Sequence, residues 1–314
     1  MNARLKADLS LAFCSLIWGA TFVVVKDALA DASVFAFLAA RFTLAAVLMG
    51  LIFWKVLRRL DHRALWAGAQ IGCFMFAGYV FQTLGLRFTS PSKAAFITGS
   101  SVVMVPVLLA AFGGRHINRW VWAGALAALA GLYFLTVPEA GFSQLNAGDV
   151  LVLCCAAMFA MHIIFVGRYS RRYSVASLSF LQVATTAILT TLALPLLAFT
   201  GWEPPRVAWT GNLVFAVLIT AVGATAIGFS LQVWAQQHTS PTHTAILISL
   251  EPVFAALTSF IVAQERLSAR ALTGAALVFA GIILAELKGP TQAAPESGGP
   301  VTEAATDDAG RGGA

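Results

Sequence analysis

The stretch QTLGLRFTSP at residues 82–91 has a counterpart 150 residues further along the chain, QVWAQQHTSP at residues 232–241. The same offset, without a gap, aligns two glycine pairs: Gly124 with Gly274, and Gly131 with Gly281. Nearer the N-terminus the offset is 141 residues, which aligns Asp8 with Asp149, Trp18 with Phe159, Thr21 with His162 and Arg41 with Gln182. The chain therefore contains an internal repeat that extends over most of its length.

The two copies are built from apolar segments of the length that crosses a bilayer. The 314 residues are 59% hydrophobic and only 11% charged, too few charges to cover a water-soluble particle. A spanning helix needs about 20 apolar residues, and ten segments meet this requirement, at about 9–26, 33–54, 65–86, 92–112, 120–137, 149–167, 175–199, 209–235, 242–263 and 270–287. We expect an all-α integral membrane protein of ten transmembrane helices.

The repeat fixes how these helices are arranged. Five is an odd number, so the second copy enters the membrane from the opposite side, which gives an inverted 5+5 repeat. Residues 8–137 are expected to form the first five-helix unit and residues 148–287 the second, with a disordered polar tail at 289–314. Inverted repeats are typical of secondary transporters that alternate access around a site at the midplane, although gene duplication can produce them in any helical membrane protein.

The charges indicate orientation. Most of the 20 Lys and Arg residues fall in the loops on the side of the two termini, although the loop around His238 has none. The positive-inside rule then places both termini in the cytoplasm of a multi-pass protein of the cell's inner membrane. The net charge of +6 is explained by topology, so we expect no nucleic-acid partner.

Several classes of protein are disfavoured. The four cysteines lie in apolar runs without CxxC spacing, so neither a disulfide nor a metal site is indicated, and we expect no cofactor. No phosphate-binding loop of the GxxxxGK[ST] type occurs, so transport would not be driven by ATP through that motif. The run Thr98-Gly99-Ser100-Ser101 has no context that would support a serine nucleophile, and we expect no enzyme.

Three segments together resemble a known family. They are Leu16-Ile17-Trp18-Gly19-Ala20-Thr21-Phe22, Ala39-Ala40-Arg41-Phe42, and Glu251-Pro252-Val253-Phe254-Ala255-Ala256 followed by Glu265-Arg266-Leu267-Ser268. In this order and spacing they resemble the EamA-like permeases of the drug/metabolite transporter (DMT) superfamily, over residues 8 to 287. The resemblance implies export or exchange of a substrate through a central cavity between two five-helix halves. This chain departs from the family pattern at the end of the fourth span, where it has Gly113-Gly114-Arg115-His116 in place of a second Glu-containing element.

Two ionisable residues lie deep in the apolar segments. A cation such as Arg41 costs about 3 kcal/mol or more there unless it is compensated. It could anchor an anionic group of the substrate, or it could hold helices together through carbonyls or an acid. Glu251 could carry a proton, or it could pair with Arg41.

Other candidates have helical spacing that could direct them into a cavity. Trp18 and Phe22 could stack on an aromatic or apolar substrate, or serve packing, and His162 could relay protons or simply pack. Pro106 and Pro252 each free a backbone carbonyl and are candidate hinges or kinks. The remaining polar candidates for substrate or coupling are Thr21, Tyr79, Gln82, Thr98, Gln182 and Gln232.

A few polar residues are better explained as helix starts. Ser90-Pro91 and Ser240-Pro241 each predict a helix start, with Ser as the cap and Pro in the first turn. Asp8 and Asp149 are expected to cap the first helix of each half.

The sequence thus favours a secondary transporter that exports or exchanges small organic metabolites, amino-acid-like or drug-like. Its expected partners are this substrate and the lipid bilayer, with proton coupling as a further hypothesis. Glycine-rich helix faces could support a homodimer or close packing within the chain. The alternatives are a non-transporting membrane receptor or regulatory protein and, as a third hypothesis, an intramembrane enzyme.

Overall fold

The computed structural model describes residues 2–58, 60–89, 91–113, 116–137, 146–201, 203–262 and 268–288, and these residues are almost entirely helical. In chain order the α-helices are α1 (Ala3–Asp31), α2 (Val34–Leu57), α3 (His62–Gly85), α4 (Pro91–Gly99), α5 (Ser101–Gly113), α6 (Arg119–Thr136), α7 (Ala147–Tyr169), α8 (Val175–Thr200), α9 (Gly211–Ile219), α10 (Gly228–Gln236), α11 (Pro241–Ile248), α12 (Glu251–Val262) and α13 (Ala269–Lys288). A π-helix, Thr220–Ile227, joins α9 to α10. The all-α integral membrane fold is confirmed.

Nine helical segments of the described chain are long and apolar enough to cross a membrane. The tenth expected span, ninth in order, is divided into α11 and α12. Pro252 has no N–H to donate to the carbonyl of Ile248, and the helix is interrupted between these two residues. In the first half, the fourth span is interrupted at Ser100 between α4 and α5. Ser100 aligns with Leu250, so the two interruptions are related by the repeat.

Helix starts follow the local sequence at several positions. The Ser240 side chain accepts a hydrogen bond from the His243 N–H and Pro241 begins α11. Asn146 caps α7, with Asp149 completing a capping box. The expectation that Asp8 and Asp149 are the caps is wrong: α1 begins earlier, at Ala3, with Asn2 as its cap, and Asp149 lies three residues after the Asn146 cap. The corresponding cap at Ser90 lies outside the described residues.

The helices pack in pairs that the repeat exchanges. α2 packs against α8 and α6 against α13, while α1 contacts α10 and α12 as α7 contacts α3 and α5. The glycines that the repeat aligned face one another across α6 and α13: a Cβ on Gly124 would lie 2.6 Å from the carbonyl oxygen of Gly281, and one on Gly131 would lie 2.6 Å from that of Gly274. Only glycine allows this backbone approach. The glycine faces proposed for a homodimer are therefore occupied within the chain.

Four polar side chains cluster at the end of the bundle where α1 begins and α13 ends. We call this end of the bundle the terminal end. Nε2 of His243 lies 3.0 Å from Oδ1 of Asp8 and 3.0 Å from Oε2 of Glu286, whose Oε2 also accepts from Arg4 at 2.8 Å. Three such side chains could hold a metal ion. Because the Arg4 guanidinium already binds one of these oxygens, we interpret the cluster as a structural network of polar contacts around the Arg4–Glu286 ion pair.

Candidate functional site

A cavity of about 1180 Å³ occupies the centre of the helix bundle. Helices of both halves line this cavity. Its exposed lining residues lie at the end of the bundle opposite the terminal end, and we call this opening of the cavity the mouth. Nine of the eleven candidates from the sequence line this one cavity, namely Trp18, Thr21, Arg41, Tyr79, Gln82, Thr98, His162, Gln232 and Glu251. Residues far apart in the sequence thus meet at a single site because the two halves interdigitate.

Arg41 is buried on α2, and its partners are uncharged. Its Nε donates to Oγ1 of Thr225 at 2.8 Å, and its Nη2 donates to the hydroxyl of Tyr79 at 3.2 Å. The guanidinium also stacks 4.8 Å from the centre of the Tyr79 ring. Since Thr225 belongs to the π-helix, Arg41 ties α2 to the irregular part of the eighth span.

Glu251 is the first residue of α12, directly after the interruption. Its side chain is partly exposed to the cavity that it lines. It forms no ion pair with Arg41, although both residues line the cavity. Its carbonyl oxygen would lie 2.5 Å from a Cβ on Gly19, so α1 passes against the start of α12 at a glycine. The amide groups at the N-terminus of α12 favour a negative charge at this position.

Aromatic rings form one wall of the site. The indole N–H of Trp18 donates to the Ala224 carbonyl in the π-helix at 2.8 Å, and its ring lies 5.3 Å from Phe229. Tyr79 lies edge-on to Phe159, with ring centres 5.4 Å apart. The rings provide a rigid apolar surface, with π faces that can hold an aromatic or cationic group.

The buried His162 bonds to Gln182, with Nε2 and Oε1 2.8 Å apart. Gln182 lies behind His162 and outside the cavity lining. Its Nε2 and the Oε1 of Gln232 are buried without a hydrogen-bond partner among the described residues. Thr21 donates to the Trp18 carbonyl, and Thr98 lies 3.9 Å from Sγ of Cys155.

The remaining candidates lie in different places. Pro252 lines the cavity beside Glu251, whereas Pro106 lies within α5 and outside the lining. The side chain of Phe22 lies outside the described residues. Thr225, Phe159 and Phe229 belong to the site but were not among the candidates. The alignment of Phe159 with Trp18 was a usable signal, whereas nothing in the sequence indicated the contact of Thr225 with Arg41.

Charged side chains surround the mouth. Lys26, Asp27, Arg87 and Arg206 line it and are exposed. The guanidinium of Arg87 pairs with Glu203, whose carboxylate also accepts from the first backbone N–H groups of α2. With Asp27 and Glu203 set against Lys26, Arg87 and Arg206, these groups leave one positive charge at the mouth, which favours anions only weakly.

This architecture defines a multi-pass membrane protein with an inverted repeat and a shared central cavity. The EamA-like transporter family matches residues 5–137 and 146–287. The chain belongs to this family and is a membrane transporter, which confirms the resemblance drawn from the three sequence segments.

Known relatives agree with this assignment. An uncharacterized transporter of Archaeoglobus fulgidus is 37% identical over 285 residues, covering 91% of this chain and 87% of the relative. The uncharacterized transporter YoaV of Bacillus subtilis is 21% identical, over 89% of this chain and 96% of the relative. A chloroplastic WAT1-related protein of Arabidopsis thaliana is 28% identical, over 70% of this chain and 53% of the relative.

A solved crystal structure shares the fold. It superposes with a TM-score of 0.74 at 20% identity, covering 90% of this chain and 96% of the other.

Proposed function

We propose that the protein is a secondary transporter that exports or exchanges a small organic metabolite by alternating access. The observation that carries this proposal is the central cavity, which both halves line and which is accessible from the mouth. Its volume slightly exceeds the range of about 300–1,000 Å³ that is usual for small-molecule sites. A buried cation, a carboxyl group and an aromatic wall suit a substrate with both charged and apolar parts, amino-acid-like or drug-like.

Alternating access requires that one end of the cavity is closed while the other is open. Because the two halves are repeats, each contact at one end has a counterpart position at the other end. Two amide hydrogen bonds join the C-terminal parts of α10 and α7, including the residue after each helix. Gln236 Nε2 donates to the Ile163 carbonyl at 2.9 Å, and at the terminal end Gln237 Nε2 donates to the Ser170 carbonyl at 2.7 Å. In the repeat Gln237 aligns with Arg87 and Ser170 with Leu29. Both of these counterparts line the cavity.

At the mouth, Arg87 and Leu29 bond to other residues and not to each other. Arg87 pairs with Glu203, and the carbonyl of Leu29 accepts from Arg206 at 3.4 Å. We infer that the Gln237–Ser170 contact closes the terminal end, and that Arg87 and Leu29 meet when the mouth closes in turn. In the alternate state the Gln237–Ser170 contact would break and the Arg87–Leu29 contact would form, because in an inverted repeat each end adopts the helix arrangement of the other.

Other repeat-related contacts are present at both ends. The Asp8–His243 pair has its counterpart in the pair between Asp149 and Lys93, whose Nζ lies 2.5 Å from Oδ2. These two pairs are counterparts in the repeat, and both are formed in the same structure. They therefore do not distinguish the terminal end from the mouth. We therefore assign them to rigid units that move as a whole, rather than to gates.

Cross-linking tests the gate assignment. With the four native cysteines replaced by alanine, the double variant Ser170→Cys and Gln237→Cys is expected to lose about tenfold or more of its flux after a short bifunctional thiol reagent is added. The loss follows because the terminal end cannot open. The pair Leu29→Cys and Arg87→Cys is expected to cross-link only while substrate is being transported.

The single-cysteine variants are the controls for this experiment, since they react with the reagent without joining two helices. Full flux in a chain cross-linked between positions 170 and 237 would contradict the assignment of the closed end.

We further propose that both termini are cytoplasmic in the inner membrane, that the two units comprise residues 8–137 and 148–287, and that Glu251 couples a proton to transport. In this orientation the mouth faces away from the cytoplasm. A homodimer would need a surface other than the glycine faces of α6 and α13. We propose that the substrate leaves chemically unchanged; in support, the Ser100 hydroxyl of the 98–101 run donates to the Ile97 carbonyl.

Flux into proteoliposomes tests the proposed function. Metabolites that differ between cells with and without the gene supply the candidates, and purified protein is expected to move at least one of them faster than protein-free vesicles do. Binding of these compounds without flux would favour the receptor alternative, and chemical conversion of a compound would favour the enzyme. Either result would overturn the proposal.

A further inference from the structure

A second cavity of about 580 Å³ lies at the terminal end, between the last turn of α2, the start of α3 and the connection from α7 to α8. Lys55 of α2 and Arg172 of the connection line it, and both are exposed. One acid, Asp61, accompanies them among the described lining residues, and its Oδ1 already accepts from the Ala64 N–H at 2.7 Å. The charged groups of the described lining residues therefore sum to one positive charge.

Two helices begin at this cavity and add to its positive field. Asp61 is the N-cap of α3, and Ser174, which lines the cavity with Tyr173, is the N-cap of α8. The unpaired N–H groups at a helix N-terminus favour an anion nearby. Outside the lining, the exposed Arg58 stacks 4.3 Å from the Trp54 ring and provides a further cation on the same side.

The surroundings of the cavity indicate a ligand with an apolar part. Trp54 on α2 is 45% exposed and Trp66 on α3 is 66% exposed, while Leu51 and Ile52, one turn deeper, are each 69% exposed. Exposed tryptophans are typical of the level at which lipid head groups meet the hydrocarbon core. The cavity thus lies at head-group depth, directly beside a surface on which acyl chains can pack.

We propose that this cavity binds the phosphate head group of an anionic phospholipid, with its acyl chains against the exposed face of α2. In this proposal Lys55 and Arg172 contact the phosphate, and Tyr173, which also lines the cavity, supplies a further hydroxyl donor. Basic pockets between helices are known to select anionic lipids in this way. Inorganic phosphate shares this chemistry but would gain nothing from the apolar face.

Thermal unfolding of the purified full chain in a nonionic detergent tests the proposal. Short-chain phosphatidylglycerol is expected to raise Tm in a saturable manner, at a concentration about tenfold lower than phosphatidylcholine of the same chain length. Lys55→Gln and Arg172→Gln are each expected to weaken this binding about fivefold, the effect of one basic residue near an anionic surface.

Arg171→Gln is the matched control, because Arg171 is exposed in the same connection and does not line the cavity. This variant is expected to bind phosphatidylglycerol as the parent does. Equal weakening by Arg171→Gln would overturn the proposal in favour of a general surface charge. Equal stabilisation by inorganic phosphate would overturn it in favour of a free-anion site. Both outcomes are independent of flux.

Discussion

Replacing Glu251 with glutamine is expected to abolish accumulation of substrate driven by a pH gradient. Glutamine keeps the size of the side chain but cannot exchange a proton. One coupled proton supports about tenfold accumulation for each unit of pH gradient, since one unit is worth about 1.4 kcal/mol. The variant should reduce this ratio to about one. Exchange of labelled for unlabelled substrate across vesicles without a gradient should persist, because it needs the cavity but no net proton movement.

The control for this experiment is Asp27→Asn, which removes a carboxyl from the exposed mouth of the same cavity. It should retain gradient-driven accumulation. Unchanged accumulation by a folded Glu251→Gln protein would remove Glu251 as the proton site. Loss of both accumulation and exchange would instead indicate that Glu251 binds substrate.

Replacing Arg41 with alanine is expected to destabilise the protein by about 3 kcal/mol. The substitution leaves the Thr225 hydroxyl and the Tyr79 hydroxyl without the guanidinium to which they bond, and an unpaired buried polar group costs about 1–3 kcal/mol. For chains somewhat shorter than this one, Tm falls by about 2–4 °C for each kcal/mol of lost stability, so Tm in detergent should fall by roughly 6–12 °C. Thr225→Val, which removes one of the two bonds, should cost about half as much.

Arg41→Lys separates the two interpretations of this residue. It keeps the charge but not the paired geometry of the guanidinium, so a structural role predicts lower stability with the substrate affinity retained. Arg171→Ala, at an exposed position, serves as the control for loss of an arginine. Parental stability of Arg41→Ala together with weak binding of anionic substrates would show that Arg41 is a substrate anchor.

Much of the site could be predicted because polar residues are costly in an apolar span and therefore conspicuous. Arg41, Glu251 and Gln232 were identified in this way, and all three line the cavity. The repeat supplied further information, since it aligned Trp18 with Phe159 and both rings line the site. The role of Thr225 was not predictable, because the hydroxyl of a threonine in a span usually bonds to a carbonyl of its own helix. Only the position of Arg41 on the neighbouring helix α2 shows that Thr225 bonds elsewhere.

The fold was predictable to a similar extent. The segment around 242–263 has the hydropathy of a continuous span, yet it is divided at Ser249 and Leu250. Pro252 indicated a freed carbonyl but not whether the helix would bend or end there, which neighbouring helices decide. Asp8 resembled a cap because its repeat partner Asp149 lies near a helix start, whereas α1 extends by five residues before it.

The sequence by itself determined the apolar spans, their grouping into two related halves and the opposite orientation of these halves. Hydropathy and repetition follow from the order of residues along the chain, so no contact between distant segments is needed to read them. Only the tertiary structure decided which residues bond to Arg41, which aromatic rings meet, and that Arg87 and Leu29 line the cavity while Gln237 contacts Ser170. These features depend on how the two halves pack, and the same sequence repeat is compatible with either end being the closed one.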